Sequence, residues 1–236
     1  MRYKPFLQCS EGGRCEKTCF IKKTTYLCPS LPIYMNTTEI ITIASALLMG
    51  VGLSAAAGFR VFLPFLCLSV ASYFHIWTAP ATMQWAGTLP AVLLFGTAAV
   101  LEIGAYYIPW VDNLLDSIST PAAAIAGTIL TASTLTGHVD PTFQWVAGIV
   151  MGGSTAALIN SGTTITRAAS SVTTGGIANP LLSTTEIGGS LFFSIMAMLL
   201  PIFAGCFVLV VTFFTGRFVY IKLRSNGRDD GTASSI

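Results

Sequence analysis

Charge is what this sequence has least of. Asp, Glu, Lys and Arg make up 9% of its 236 residues, 53% are hydrophobic, and the mean hydropathy is +0.72. A soluble domain carries about 25% charged residues. The shortage excludes a soluble globular domain and leaves no broad basic surface for a nucleic acid. The ~10-residue alternating strands of a membrane barrel are missing as well. Unbroken apolar runs such as residues 187–215 point to membrane helices instead. Catalytic patterns are equally absent: there are two histidines and no GxSxG, HExxH or phosphate loop. No enzyme, cofactor or metal is therefore expected.

The few charges are unevenly placed. Residues 40–216 hold two basic residues, Arg60 and Arg167, against five acids, Glu102, Asp112, Asp116, Asp140 and Glu186, while the other ten basic residues lie in the two tails. By the positive-inside tendency both termini are cytoplasmic, which requires an even number of spans. Of the six cysteines, Cys9, Cys15, Cys19 and Cys28 fall early, separated by five, three and eight residues. That spacing lacks the paired CxxC of a zinc site, and a metal knuckle or disulfides are the lesser alternative. Residues 1–34 read as a basic, Cys-containing tail, either disordered or an upstream misreading with translation starting at Met35. No signal-peptide core precedes Tyr34.

One stretch organises the rest. Residues 101–121, LEIGAYYIPWVDNLLDSISTP, contain Glu102, the single charge between Arg60 and Asp112. Residues 90–108 make 19 positions, about the length that crosses a hydrocarbon core of roughly 30 Å. Glu102 thus falls inside a span or at its edge, where a carboxylate is costly unless it faces a partner, a cation or water. Tyr106 lies one turn further on the same face. Pro109 is expected to end the helix, followed by an acidic turn in which Asp112 and Asp116 stand at i, i+4.

Around this stretch the helices follow in order. Asn36 to Glu39 is close to a capping box and opens the apolar run 40–57, in which Gly50, Ser54 and Gly58 form a small-xxx-small stripe. Arg60 then interrupts a run that stays apolar to Phe74, either snorkelling or pairing within the bundle. His75 and Trp77 read as an interfacial end. Residues 121–135 are a short fourth helix, and His138 and Asp140 are solvated turn residues. Residues 143–159 form a fifth, with Gly148, Gly152 and Ala156 again at i, i+4, i+8. Residues 187–221, 35 positions with Arg217 the one charge, are a long bent helix or a half-span followed by a full one. Residues 225–236 read as a disordered polar tail.

Residues 160–186, NSGTTITRAASSVTTGGIANPLLSTTE, are rich in Ser, Thr and Gly yet uncharged between Arg167 and Glu186. So many hydroxyls do not suit a lipid-facing helix, and so little charge does not suit a solvated loop. An irregular or re-entrant segment lining a cavity satisfies both, with the break at Gly175-Gly176 and Asn179-Pro180. Each half of the chain pairs an arginine with a later lone glutamate, Arg60 with Glu102 and Arg167 with Glu186, but the spacings of 42 and 19 differ.

Three stretches carry a family resemblance: GLSAAAGFRVFLPFL at residues 52–66, EIGAYYIPWVDNLLDSISTPAAAIAGTILTAS at 102–133, and TGGIANPLLSTTE at 174–186. Here residues 35–224 resemble a bacterial membrane family catalogued as domain of unknown function number four-one-two-six. The resemblance implies an integral membrane protein whose members commonly begin near the equivalent of Met35, and it supplies no substrate; the expected location is the inner membrane.

The expectation is an all-helical, polytopic bundle of about six spans over residues 35–224. Its function is expected to be transport or conduction of a small ion or solute. The path would be marked by Glu102, Asp112, Asp116, Arg60, Arg167, Asn179 and Glu186, with the acids favouring a cation. Expected partners are the bilayer and that ion or solute, with a homo-oligomer left open. The alternative is a structural or assembly protein whose charges are internal salt bridges, such as Arg60 with Glu102.

Overall fold

The computed structural model describes residues 6–9, 15–21, 24–27, 37–77, 81–105, 109–175 and 177–229. The chain divides into two units, Met1–Glu39 and Ile40–Ile236. In the first, strands β1 (Phe6–Cys9), β2 (Cys15–Ile21) and β3 (Thr24–Leu27) pair antiparallel in that order, with Phe6 opposite Thr18 and Ile21 opposite Thr24. The tail reading did not foresee strands here. The side chains of the four early cysteines lie outside the described residues.

The second unit is a helical bundle, as its composition requires. Its helices are α1 (Thr37–Phe59), α2 (Phe62–Tyr73), α3 (Leu89–Ala105), α4 (Pro109–Thr134), α5 (Pro141–Ala147), α6 (Ser154–Thr174), α7 (Asn179–Leu199) and α8 (Pro201–Asp229). A 3₁₀ turn at Ala81–Gly87 precedes α3, and a π-helical segment, Gly148–Gly153, joins α5 to α6 without a break. Thr37–Phe59, Pro141–Thr174 and Asn179–Leu199 are long and apolar enough to cross a membrane, while Phe62–Tyr73, Leu89–Ala105 and Pro201–Phe214 are shorter apolar helices. Large apolar side chains turn outward, Phe203 being 74% and Leu101 72% exposed. Water would oppose that arrangement and lipid does not. The protein is an integral membrane protein.

The centre is α1, whose residues from Met49 to Gly58 are all buried. Its small-residue stripe does what close helix packing needs. Beside Gly50 a side chain would meet Thr131 Cα of α4 at 2.7 Å, beside Gly52 it would meet Ala197 Cβ of α7 at 2.8 Å, and beside Gly58 it would meet Ala156 O of α6 at 2.8 Å. Ser54 donates to Gly127 O at 2.8 Å and shares a hydrogen bond with Thr131. The second stripe packs against α4. Gly148 faces Thr128 O, and Gly152 and Gly127 approach so closely that neither position has room for a Cβ. Three glycines in GIVMGG let the π segment sit this near.

Several boundaries differ from the sequence reading. Pro109 opens α4 instead of ending α3, so Asp112 and Asp116 belong to the first two turns of a helix that continues through Pro121. A proline suits a first helical turn, where its missing N–H costs nothing. Of the two forms expected for the apolar run after residue 186, the divided one is found, with α7 ending before Leu200 and Pro201 opening α8. Residues 160–186 break where expected, at the turn around Gly175, a residue in the left-handed conformation at φ 62°, but the segments on either side are regular helix and not the irregular or re-entrant segment that was expected. Backbone carbonyls explain how lipid-facing helices keep these hydroxyls: Thr166 donates to Gly162 O, Thr173 to Ala169 O, Thr174 to Ser170 O and Thr184 to Pro180 O, each at 2.8–2.9 Å. Bonded one turn back, a hydroxyl needs neither water nor a cavity.

Candidate functional site

The chemistry gathers where α1 stops and α2 starts. A helix that ends inside protein leaves carbonyls at one end and N–H groups at the other that must find partners. At the end of α1, Ala56 O accepts from the Arg60 backbone at 3.1 Å and from Ser190 Oγ of α7 at 3.0 Å, while Gly58 O accepts from Asn160 Nδ2 of α6 at 3.2 Å. Asn160 in turn accepts from Ser119 Oγ at 3.0 Å and Thr120 Oγ1 at 2.8 Å, which brings in α4. At the start of α2, the amides of Val61 and Phe62 donate to the two oxygens of Glu102 at 2.8 and 3.1 Å. The carboxylate stands at the positive end of a helix.

Arg60 separates the two helices and is fully buried, its side chain 0% exposed. Its Nη2 lies 3.2 Å from Glu186 Oε2 and donates to the hydroxyl of Ser183, both on α7. Arg167, on α6, grips the same carboxylate with two donors, Nε to Oε1 at 3.0 Å and Nη2 to Oε2. The side chains of Arg167 and Glu186 are 5% and 7% exposed. One carboxylate is therefore shared by two guanidiniums, one of them holding it as a fork. The cluster binds the α1–α2 break, α6 and α7 together. Removing water from these charges costs several kcal/mol per ion, which their mutual attraction offsets only with this density of contacts.

The structure sorts the expected site residues. Arg60, Arg167 and Glu186 come together, although the sequence offers Glu186 as part of a cation site and not as the partner of either arginine. The expected ion pair between Arg60 and Glu102 is not formed: among the described residues Arg60 turns to Glu186, and Glu102 accepts from the backbone amides of Val61 and Phe62. Asn179 stands apart, donating from Nδ2 to Ser171 Oγ at 3.0 Å and so tying the start of α7 to the last turns of α6. The side chains of Asp112 and Asp116, and the whole of Tyr106, lie outside the described residues. His138 and Asp140 are exposed between α4 and α5. Among the described residues no three His, Cys, Asp or Glu side chains gather as metal ligands. Sequence reasoning missed Asn160, Ser183 and Ser190. A signal was present on α7, where Ser183, Glu186, Ser190 and Ser194 recur at helical spacing and all are buried.

A family model described as Domain of unknown function (DUF4126) matches residues 47–220. The chain belongs to this family. The match runs from the buried half of α1 into α8 and so contains every residue of the cluster. No curated protein and no solved structure matches the chain.

Proposed function

We propose that this family member moves a small ion or solute across the membrane, without catalysing a reaction, and that the Arg60–Glu186–Arg167 cluster is the closed gate of its path. One observation carries the reading: three charged side chains, each at least nine-tenths buried, meet where α1, α2, α6 and α7 converge. Ionisable groups so placed mark paths and relays more often than packing. Glu186, neutralised from two sides, is no open cation site, so passage requires its pairs to separate. Glu102, half-buried and held by backbone amides instead of a guanidinium, is the carboxylate better placed to take a proton or cation on the way. In this reading the protein resides in the inner membrane with about six spans and both termini cytoplasmic.

Flux into proteoliposomes containing the full chain tests the proposal. Under imposed proton, cation and anion gradients the parent gives flux of at least one species, and Glu186→Gln changes it by tenfold or more in a protein that still runs as a single folded species. Absence of flux under every gradient removes the proposal. A structural or assembly role is the second reading, favoured by how fully the α1–α2 break is satisfied by Ser190, Asn160 and Glu102.

A further inference from the structure

A shallow groove of about 510 Å³ runs between the α5–α6 helix and α8, lined by Val150, Met151, Ser154, Val210, Phe213 and Phe214 among others. Its size falls within the roughly 300–1,000 Å³ of sites that hold small organic molecules. One wall follows from the packing already described. The π segment turns its glycines to α4, which it contacts extensively, and this leaves Val150 and Met151 on a side that α8 covers far less. The other wall is a face of α8 beside Ala204 and Val208, the residues that bury that helix in the bundle. Val150 is 62% and Phe213 64% exposed, so the groove opens outward into lipid.

What lies at its end suggests the occupant. Arg217 is exposed on α8, three residues after Phe214 and four after Phe213. It therefore stands one helical turn, about 5.4 Å, beyond the aromatic wall. Lys222, Arg224 and Arg228 follow in the sequence, with no acid between Glu186 and Asp229. An apolar slot that ends at a cation complements an amphiphile with an anionic head. A second copy of the chain could cover the apolar walls but would bring no defined anion to Arg217. A zwitterionic lipid would fill the slot and gain little from the charge.

We propose that this groove binds one acyl chain of an anionic phospholipid whose net negative headgroup is held by Arg217. The site is independent of the transport reading.

Native mass spectrometry of the full chain, purified in detergent and titrated with phosphatidylglycerol or phosphatidylcholine of identical acyl chains, tests it. The parent should retain one phosphatidylglycerol at concentrations where phosphatidylcholine is lost. Arg217→Gln should weaken phosphatidylglycerol retention roughly fivefold, the effect of one basic side chain at an anionic surface, and leave phosphatidylcholine unchanged. Ser154→Phe, which fills the groove from the α6 side, should remove the retained lipid. Val210→Trp fills it from α8 and should do the same, so misfolding of either variant does not decide the outcome. Equal retention of the two lipids by the parent overturns the proposal. So does loss on Arg217→Gln with no effect of either filling variant, which assigns binding to the basic helix end alone. A dimer that the filling variants dissociate gives the groove to a second copy and also overturns it.

Discussion

Two contacts of this bundle work by different physics. Where α1 and the π segment meet α4, glycines let backbones touch, and stability comes from shape: Gly127 has Gly152 O at 2.6 Å and Ala156 Cβ at 2.7 Å from where a side chain would stand. Around Arg60 and Glu186 the contact is electrostatic, with one carboxylate answering two guanidiniums and polar side chains closing the ends of α1 and α2. A steric contact has one solution, since any sideways movement opens a void or makes a clash. Ion pairs can exchange partners through discrete arrangements. If part of this molecule moves in function, the difference places that movement at the charged end and the fixed scaffold at the glycines.

Breaking the steric side gives the largest expected effect. Gly152→Leu puts a branched side chain into Thr131 and the Gly127 carbonyl, and backbone cannot yield as a flexible side chain does. No folded protein should be recovered by size-exclusion chromatography, whereas Gly162→Leu, at an exposed glycine on α6 with open space around it, should express like the parent. On the charged side, Glu186→Gln removes the carboxylate that Arg60 and Arg167 share and should cost about 3–5 kcal/mol, read from reversible unfolding in detergent.

A charge swap sharpens the comparison. In an isolated ion pair, exchanging the partners restores stability. Here Arg167→Glu combined with Glu186→Arg sets a new arginine against Arg60, so the double variant should remain no more stable than Glu186→Gln. Recovery to the parent's stability would show that Arg60 does not share the site. Smaller still is Asn160→Ala, which leaves Gly58 O and the hydroxyls of Ser119 and Thr120 without this partner. It should cost about 1–3 kcal/mol. Phe203→Leu, on the lipid-facing side of α8, should stay within about 0.5 kcal/mol of the parent.

Much of this arrangement was legible in the residues, and the gaps have physical causes. The two small-residue stripes marked the close contacts of α1 and of the π segment, because glycine at helical spacing has few other uses in a membrane helix. Arg60, Arg167, Glu102 and Glu186 stood out because charge is so rare. Their partners did not follow, since pairing depends on how α7 lies beside the α1–α2 break, and nothing local to Arg60 encodes a residue 126 positions away. The Ser- and Thr-rich stretch was misread as irregular because composition does not reveal whether a hydroxyl bonds one turn back. Pro109 was read as a stop when it is a start, an ambiguity that any proline between two helical patterns carries.

A double-mutant cycle tests the central claim most directly. Arg60→Gln, Glu186→Gln and the double variant would be compared by reversible unfolding of the full chain in one detergent. A carboxylate of α7 that holds the α1–α2 break should give a coupling energy above about 1 kcal/mol, as residues in one ionic cluster do. Effects that add to within about 0.5 kcal/mol would mean that Arg60 and Glu186 act independently, and would contradict both the shared carboxylate and the gate built on it.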